Sequence, residues 1–179
     1  PVRESVRVLC VGGRHDAARF VTYALEPRES DQPRVRAEMV AESALLELDL
    51  ASYDCVVLCN IGRFGPDEAG VLYDLLVGGG GLIVFLGDQV VASSYNQMLV
   101  EKDPDRRILP ARIGTTVPLS QYRFDPRGYQ HPIVKPFQGN EQAGLLTTPI
   151  WKYVKLMRVD PSRASIALAL AVSSLICIR

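Results

Sequence analysis

The sequence predicts an α/β fold with a mainly parallel sheet, and three observations carry that expectation. Short apolar runs recur at residues 6–11 (VRVLCV), 55–59 (CVVLC) and 82–86 (LIVFL), each closed by a glycine or polar turn. Runs of this length without polar alternation suit strands buried on both faces, as parallel strands are. The segments between them carry helical periodicity, and strands that alternate with helices form right-handed crossovers, with helices expected on both faces of the sheet.

The first strand ends at Gly12-Gly13, and Asp16 is positioned to cap the next helix. Ala17, Phe20, Val21 and Ala24 repeat at i, i+3, i+4 and i+7, the spacing of one buried helix face, and Pro27 ends it. Val35, Ala37 and Met39 alternate with Arg36 and Glu38, which fits a half-exposed strand near a sheet edge. After the strand at 55–59, Pro66 suits a first helical turn, and Asp67 and Glu68 suit its positive end. Ala69, Leu72, Leu75 and Leu76 form the inward face of that helix, and Gly78 stops it. The four glycines 78–81 lead into the strand at 82–86 and a turn carrying Gly87, Asp88 and Gln89. A further helix is expected over 93–101, with Tyr95, Met98 and Leu99 inward.

The character changes after Lys102: seven of the twelve prolines lie between Pro104 and Pro149. Long loops with short strands at 107–113 and 152–159 are expected there, and such loops are often functional. The chain of 179 residues is read as one domain, with a core at 5–102, a Pro-rich elaboration at 103–150 and C-terminal strands at 151–179. It begins at Pro1 without an initiator Met or signal peptide, and is expected to be a piece of a longer protein. The apolar run 164–178 is shorter than the roughly 20 residues of a membrane span. It is read as one or two buried strands or a buried helix, with the start of a membrane segment as the alternative.

Lys+Arg and Asp+Glu are both 20, so no global field recruits nucleic acid. Cys55-x-x-x-Cys59 has no second Cys or His pair, so no metal or other cofactor is expected. Residues four apart on a strand share a face, so Cys10, Cys55 and Cys59 are expected as packed free thiols. The candidate crevice residues sit after strands, where open α/β sheets bind ligands. They are Gly12, Gly13, Arg14 and His15 after the first strand, Asn60 and Arg63 after the third, Gly87, Asp88 and Gln89 after the fourth, and His131 in the Pro-rich part. Gly12-Gly13-Arg14-His15 matches neither G-x-G-x-x-G nor the P-loop pattern, so a tight strand-to-helix turn is expected. His131 is expected to pin its own loop.

The segments 53–60 (YDCVVLCN), Pro66-Asp67-Glu68, 78–82 (GGGGL) and Leu86-Gly87-Asp88 resemble the class I glutamine-amidotransferase-like superfamily. More narrowly, they resemble the amidotransferase-like domain of bacterial membrane proteins with a BatA-type (aerotolerance regulator) N-terminus. Residues 122–126 (YRFDP), His131-Pro132-Ile133 and 140–145 (NEQAGL) fit that narrower group. The resemblance covers about residues 5–160 and implies a flavodoxin-like three-layer sandwich. It also implies a nucleophile elbow of the form C-L-G-x-Q after the fourth strand. This chain has Phe85-Leu86-Gly87-Asp88-Gln89 instead, and Phe85 has no thiol to attack a carbonyl. The His-Pro-Glu element of such enzymes also fails, because Ile133 and Val134 follow His131-Pro132.

The expected function is a non-catalytic, amidotransferase-like module that senses a ligand or binds a protein. It would sit in a larger, membrane-anchored bacterial protein, with other domains of that chain or a separate protein as partners. A hydrolase using Arg14, His15, Asp88 and His131 is the alternative, with Asp88 orienting a histidine base. A binder of a small anion at Gly12-Gly13 and Arg63 is the third.

Overall fold

The computed structural model describes residues 5–14, 16–26, 34–101, 103, 105–117, 122–140, 144–157, 164–170 and 174–178. His15 and Pro27 lie outside the described residues. The chain divides into two compact units, Pro1–Ile108 and Leu109–Arg179.

The first unit holds β1 (Val6–Gly12), α1 (Arg19–Leu25), β2 (Val35–Ala41), β3 (Cys55–Cys59), α2 (Pro66–Val77), β4 (Gly81–Phe85) and α3 (Ala92–Tyr95). The four strands are parallel in the order β2-β1-β3-β4. The chain moves to one side of β1 through α1 and to the other side of β3 through α2. With right-handed crossovers, the two helices therefore cover opposite faces.

The burial pattern follows. Val8, Cys10, Val57 and Cys59 are buried beneath Ala18, with Ala17, Val21 and Leu25 of the α1 segment packed against them. Leu9, Val11, Val56 and Leu58 alternate to the other face and are fully buried. Burying each such aliphatic side chain contributes about 1.5–3 kcal/mol. The helix α2 faces inward through Ala69, Leu72 and Leu75. Its start is fixed by Pro66 and by Glu68, whose carboxylate accepts the Gly65 N–H at 2.9 Å.

Three local expectations need correction. Asp16 does not cap α1 through its side chain; Ala18 holds the cap position, and the Asp16 carbonyl accepts Arg19 N–H in the preceding turn. Phe20 does not face the core. Ala18, Val21 and Leu25 define the inward side, which leaves Phe20 74% exposed beneath the Arg19 guanidinium. The helix expected over 93–101 is a four-residue α3 followed by a π-helix at Asn96–Glu101. The wider turn buries Asn96, Leu99 and Val100 and leaves Met98 half-buried.

In the second unit, β5 (Arg112–Val117) pairs antiparallel with β7 (Tyr153–Met157). The expected strand at 107–113 thus begins later, after Pro110, which has no N–H for a ladder. The short β6 (Phe124–Asp125) pairs with β8 (Ser165–Leu170), and β8 pairs antiparallel with β9 (Ser174–Ile178). The apolar C-terminal run is therefore two strands, and Ala167, Ala169 and Leu170 are buried. Among the described residues, no helix is long and apolar enough to cross a membrane.

Candidate functional site

In the order β2-β1-β3-β4 the chain direction reverses between β1 and β3, the switch point outside which open α/β sheets bind ligands. Gly13 and Arg14 leave β1 there, Asn60 leaves β3, and Gly87–Gln89 leave the neighbouring β4. Asn60 ties these ends together. Its N–H donates to the Phe85 carbonyl at 2.9 Å, its Nδ2 donates to Asp88 Oδ1 at 2.7 Å, and its Oδ1 accepts Gln89 N–H at 2.9 Å. Across the same end, Arg14 Nη1 donates to Asp88 Oδ2 at 3.2 Å. Gly13 N–H is bound by the Cys59 carbonyl at 2.9 Å.

This geometry dictates residue types. Asn60 has φ of 55°, a left-handed conformation that asparagine tolerates better than most side chains. A Cβ on Gly13 would collide with the Asn60 carbonyl, and one on Gly87 would collide with the Asn60 side-chain amide. Gly13 is therefore imposed by the backbone at residue 60, and Gly87 by the Asn60 side chain. Replacing Asn60 with Ala is expected to destabilise the fold by about 2 kcal/mol, from the lost hydrogen bonds and a strained Cβ. Asn60→Gly keeps the backbone unstrained and should recover about 1 kcal/mol of that loss. Urea midpoints of the two variants measure the difference.

The loop after Asn60 is anchored from α3. The Tyr95 hydroxyl donates to the Ile61 carbonyl at 2.8 Å, and its ring packs edge-on against Phe64 at 4.9 Å. Ser94 Oγ accepts Phe64 N–H at 3.0 Å and donates to the Phe64 carbonyl at 3.2 Å. Val91 N–H donates to the Gly62 carbonyl at 3.0 Å. Ser94 and Tyr95 were not candidates in the sequence. Tyr95 reads there as an ordinary inward helix residue, and nothing marks its hydroxyl as the partner of a carbonyl 34 positions away.

The structure thus brings Gly13, Arg14, Asn60, Gly87, Asp88 and Gln89 together, with Gly12 at the end of β1. Arg63 is exposed and makes no hydrogen bond or ion pair with this cluster among the described residues. His131 belongs to the second unit, where its Nδ1 accepts Ile133 N–H at 3.2 Å, so it does pin its own loop. Both Asp88 carboxylate oxygens are engaged by Arg14 and Asn60.

Phe85 closes β4 beside Cys59, and its side chain is half exposed. No residue from Phe85 to Gln89 has a positive φ, so the strained turn of a nucleophile elbow is not formed there. Among the described side chains the thiols lie on β1 and β3, where Cys10, Cys55 and Cys59 are free. Burial raises all three, with Cys10 adding to the effect on Cys55 and Cys59, and Cys59 is pushed up to about 11 from 9.0. These are thiols rather than thiolates at neutral pH, unlike reactive cysteines. Among the described residues no cluster of His, Cys, Asp and Glu can hold a metal.

The Cys59 value has a pH consequence. Above pH 9 the unfolded thiol loses its proton while the folded one keeps it, so the folded state binds more protons and stability falls with rising pH. The stabilisation is complete below pH 9 and is lost through about 11, an expected decline of about 2–3 kcal/mol. Cys59→Ala should flatten that decline in denaturant titrations between those pH values.

The sheet order defines an open α/β protein of the flavodoxin-like fold. A ThuA-like protein from Bacteroides uniformis shares this fold with a TM-score of 0.55 at 10% identity, over 98% of this chain and 76% of that one. A β-galactosidase from Bifidobacterium adolescentis aligns with a TM-score of 0.38 at 14% identity, over 96% of this chain and 79% of that one. No family model matches the sequence, and no curated protein matches it.

Proposed function

We propose that this chain is a non-catalytic amidotransferase-like domain that senses a ligand or binds a protein at the carboxyl ends of its sheet. We place it with the amidotransferase-like domains of BatA-type bacterial membrane proteins, as part of a larger membrane-anchored chain. Its partners would be other domains of that chain or a separate protein. The observation that carries the non-catalytic reading is the end of β4. Phe85-Leu86-Gly87-Asp88 offers no nucleophile, and Asn60 fixes that turn as a structural junction. The buried, protonated thiols of β1 and β3 do not supply a substitute.

Turnover measurements on glutamine, by ammonia release, and on a panel of activated esters test this reading. The expected result is a rate equal to the uncatalysed background for every substrate. A steady-state rate above background that disappears in Asp88→Ala or His131→Ala would overturn it in favour of the hydrolase.

A further inference from the structure

The Arg14–Asp88 pair lies where a ligand would meet the switch point. Arg14 follows β1, and Asp88 reaches it from beyond β4, across the end of β3. The two halves of the Asp88 carboxylate differ. Oδ1 is held at 2.7 Å by an Asn60 that is itself fixed by the Phe85 carbonyl and the Gln89 N–H. Oδ2 meets Arg14 through a single nitrogen at 3.2 Å, and the two side chains are 56% and 61% exposed. A guanidinium has five donors in a planar fork that suits two-pronged binding of a carboxylate or phosphate. One-pronged, exposed ion pairs contribute little. The Asn60 half is thus the permanent fixture and the Arg14 half the exchangeable one.

We propose that Asp88 is an internal anion that occupies Arg14, and that an oxyanion ligand, a carboxylate or a phosphate, binds at the β1–β3 switch point by displacing it. The proposal rests on the reading of the strand ends as a binding edge and adds its ligand chemistry and its regulation. Asn60 keeps Asp88 and its turn in place during the exchange, so the device moves one guanidinium and leaves the sheet unchanged. The carboxylate left behind sets a threshold, because any anion must compete with a neighbour tethered within reach.

Inorganic phosphate and acetate, titrated at constant ionic strength into the full chain and followed by amide NMR shifts, test this directly. Asp88→Asn keeps an oxygen for the Asn60 amide and removes the competing charge. It should tighten anion binding by about two- to fivefold, the worth of an exposed ion pair, with shifts at Gly13, Arg14 and Asn60. Arg14→Gln should abolish binding, alone and combined with Asp88→Asn. Equal affinity in the parent and Asp88→Asn, lost in Arg14→Gln, overturns the exchange and leaves the binding-edge reading intact. Anion shifts that survive Arg14→Gln, or none in any variant, also overturn the exchange. Turnover on glutamine or esters would overturn the non-catalytic reading without bearing on the exchange.

Discussion

Gly13→Ala should cost about 3 kcal/mol or more of stability, at or beyond the upper end for an overpacked site. The added methyl would run into the Asn60 carbonyl and approach the Ile61 Cα, both backbone and both held by the end of β3. Backbone cannot rotate out of the way, so β1 and β3 would have to separate at the junction of the candidate site. Gly70→Ala is the matching control. Gly70 lies inside α2 with open space around it, so alanine should stabilise by about 0.5–1 kcal/mol through helix propensity. Opposite signs in chemical denaturation, for the same substitution at two glycines, separate steric conflict from any general effect of losing a glycine.

The second large effect is at Tyr95. It is fully buried, packs edge-on against Phe64 and donates to the Ile61 carbonyl. Tyr95→Ala should cost about 4–5 kcal/mol, combining an aromatic-sized cavity with an unsatisfied carbonyl. Tyr95→Phe retains the ring and loses only the hydrogen bond, so about 1–3 kcal/mol is expected. The ratio of the two losses reports how far the loop after β3 depends on packing and how far on the hydroxyl. Because that loop carries Asn60 into the cluster, amide exchange at Ile61 and Gly62 should quicken in both variants, more strongly in Tyr95→Ala.

Much of the first unit was legible in the sequence because its two central strands are buried on both faces. Residues 8–11 and 55–59 are continuous apolar runs, and they became the central strands β1 and β3. The alternation at 35–39 marked β2 as the exposed edge it is. Pro66 with Glu68, and Gly78, marked both ends of α2 within a residue. Helical spacing alone could not orient α1, because Phe20 and Ala18 are both apolar. Space beneath the helix chose the small residue, and Phe20 turned outward. The start of β5 was misplaced because Pro110, which cannot donate to a ladder, was read as part of the strand.

The candidate site was legible as a set of strand ends and illegible as a network. Gly12–Arg14, Asn60 and Gly87–Gln89 stood out because turn residues followed apolar runs. The role of Asn60 as the common partner did not, since its amide joins residues 28 and 29 positions away. Conversely, Arg63 looked equivalent to Arg14 in sequence, each a basic residue after a strand. Only Arg14 meets Asp88. The end of β4 was informative by its residue types alone: Phe85 carries no thiol, so thiol attack from that position is excluded whatever the detailed geometry.

The central proposal, that the end of β4 offers no nucleophile and the thiols of β1 and β3 do not replace it, is tested most directly by covalent labelling. The folded chain is incubated at pH 7.5 with a chloroketone analogue of glutamine, and modification at Cys10, Cys55 and Cys59 is read by mass spectrometry. The account predicts no modification of these thiols on the timescale of free cysteine, and full modification once the chain is unfolded in urea. Rapid stoichiometric labelling of one of them in the folded state, blocked by glutamine, would contradict it.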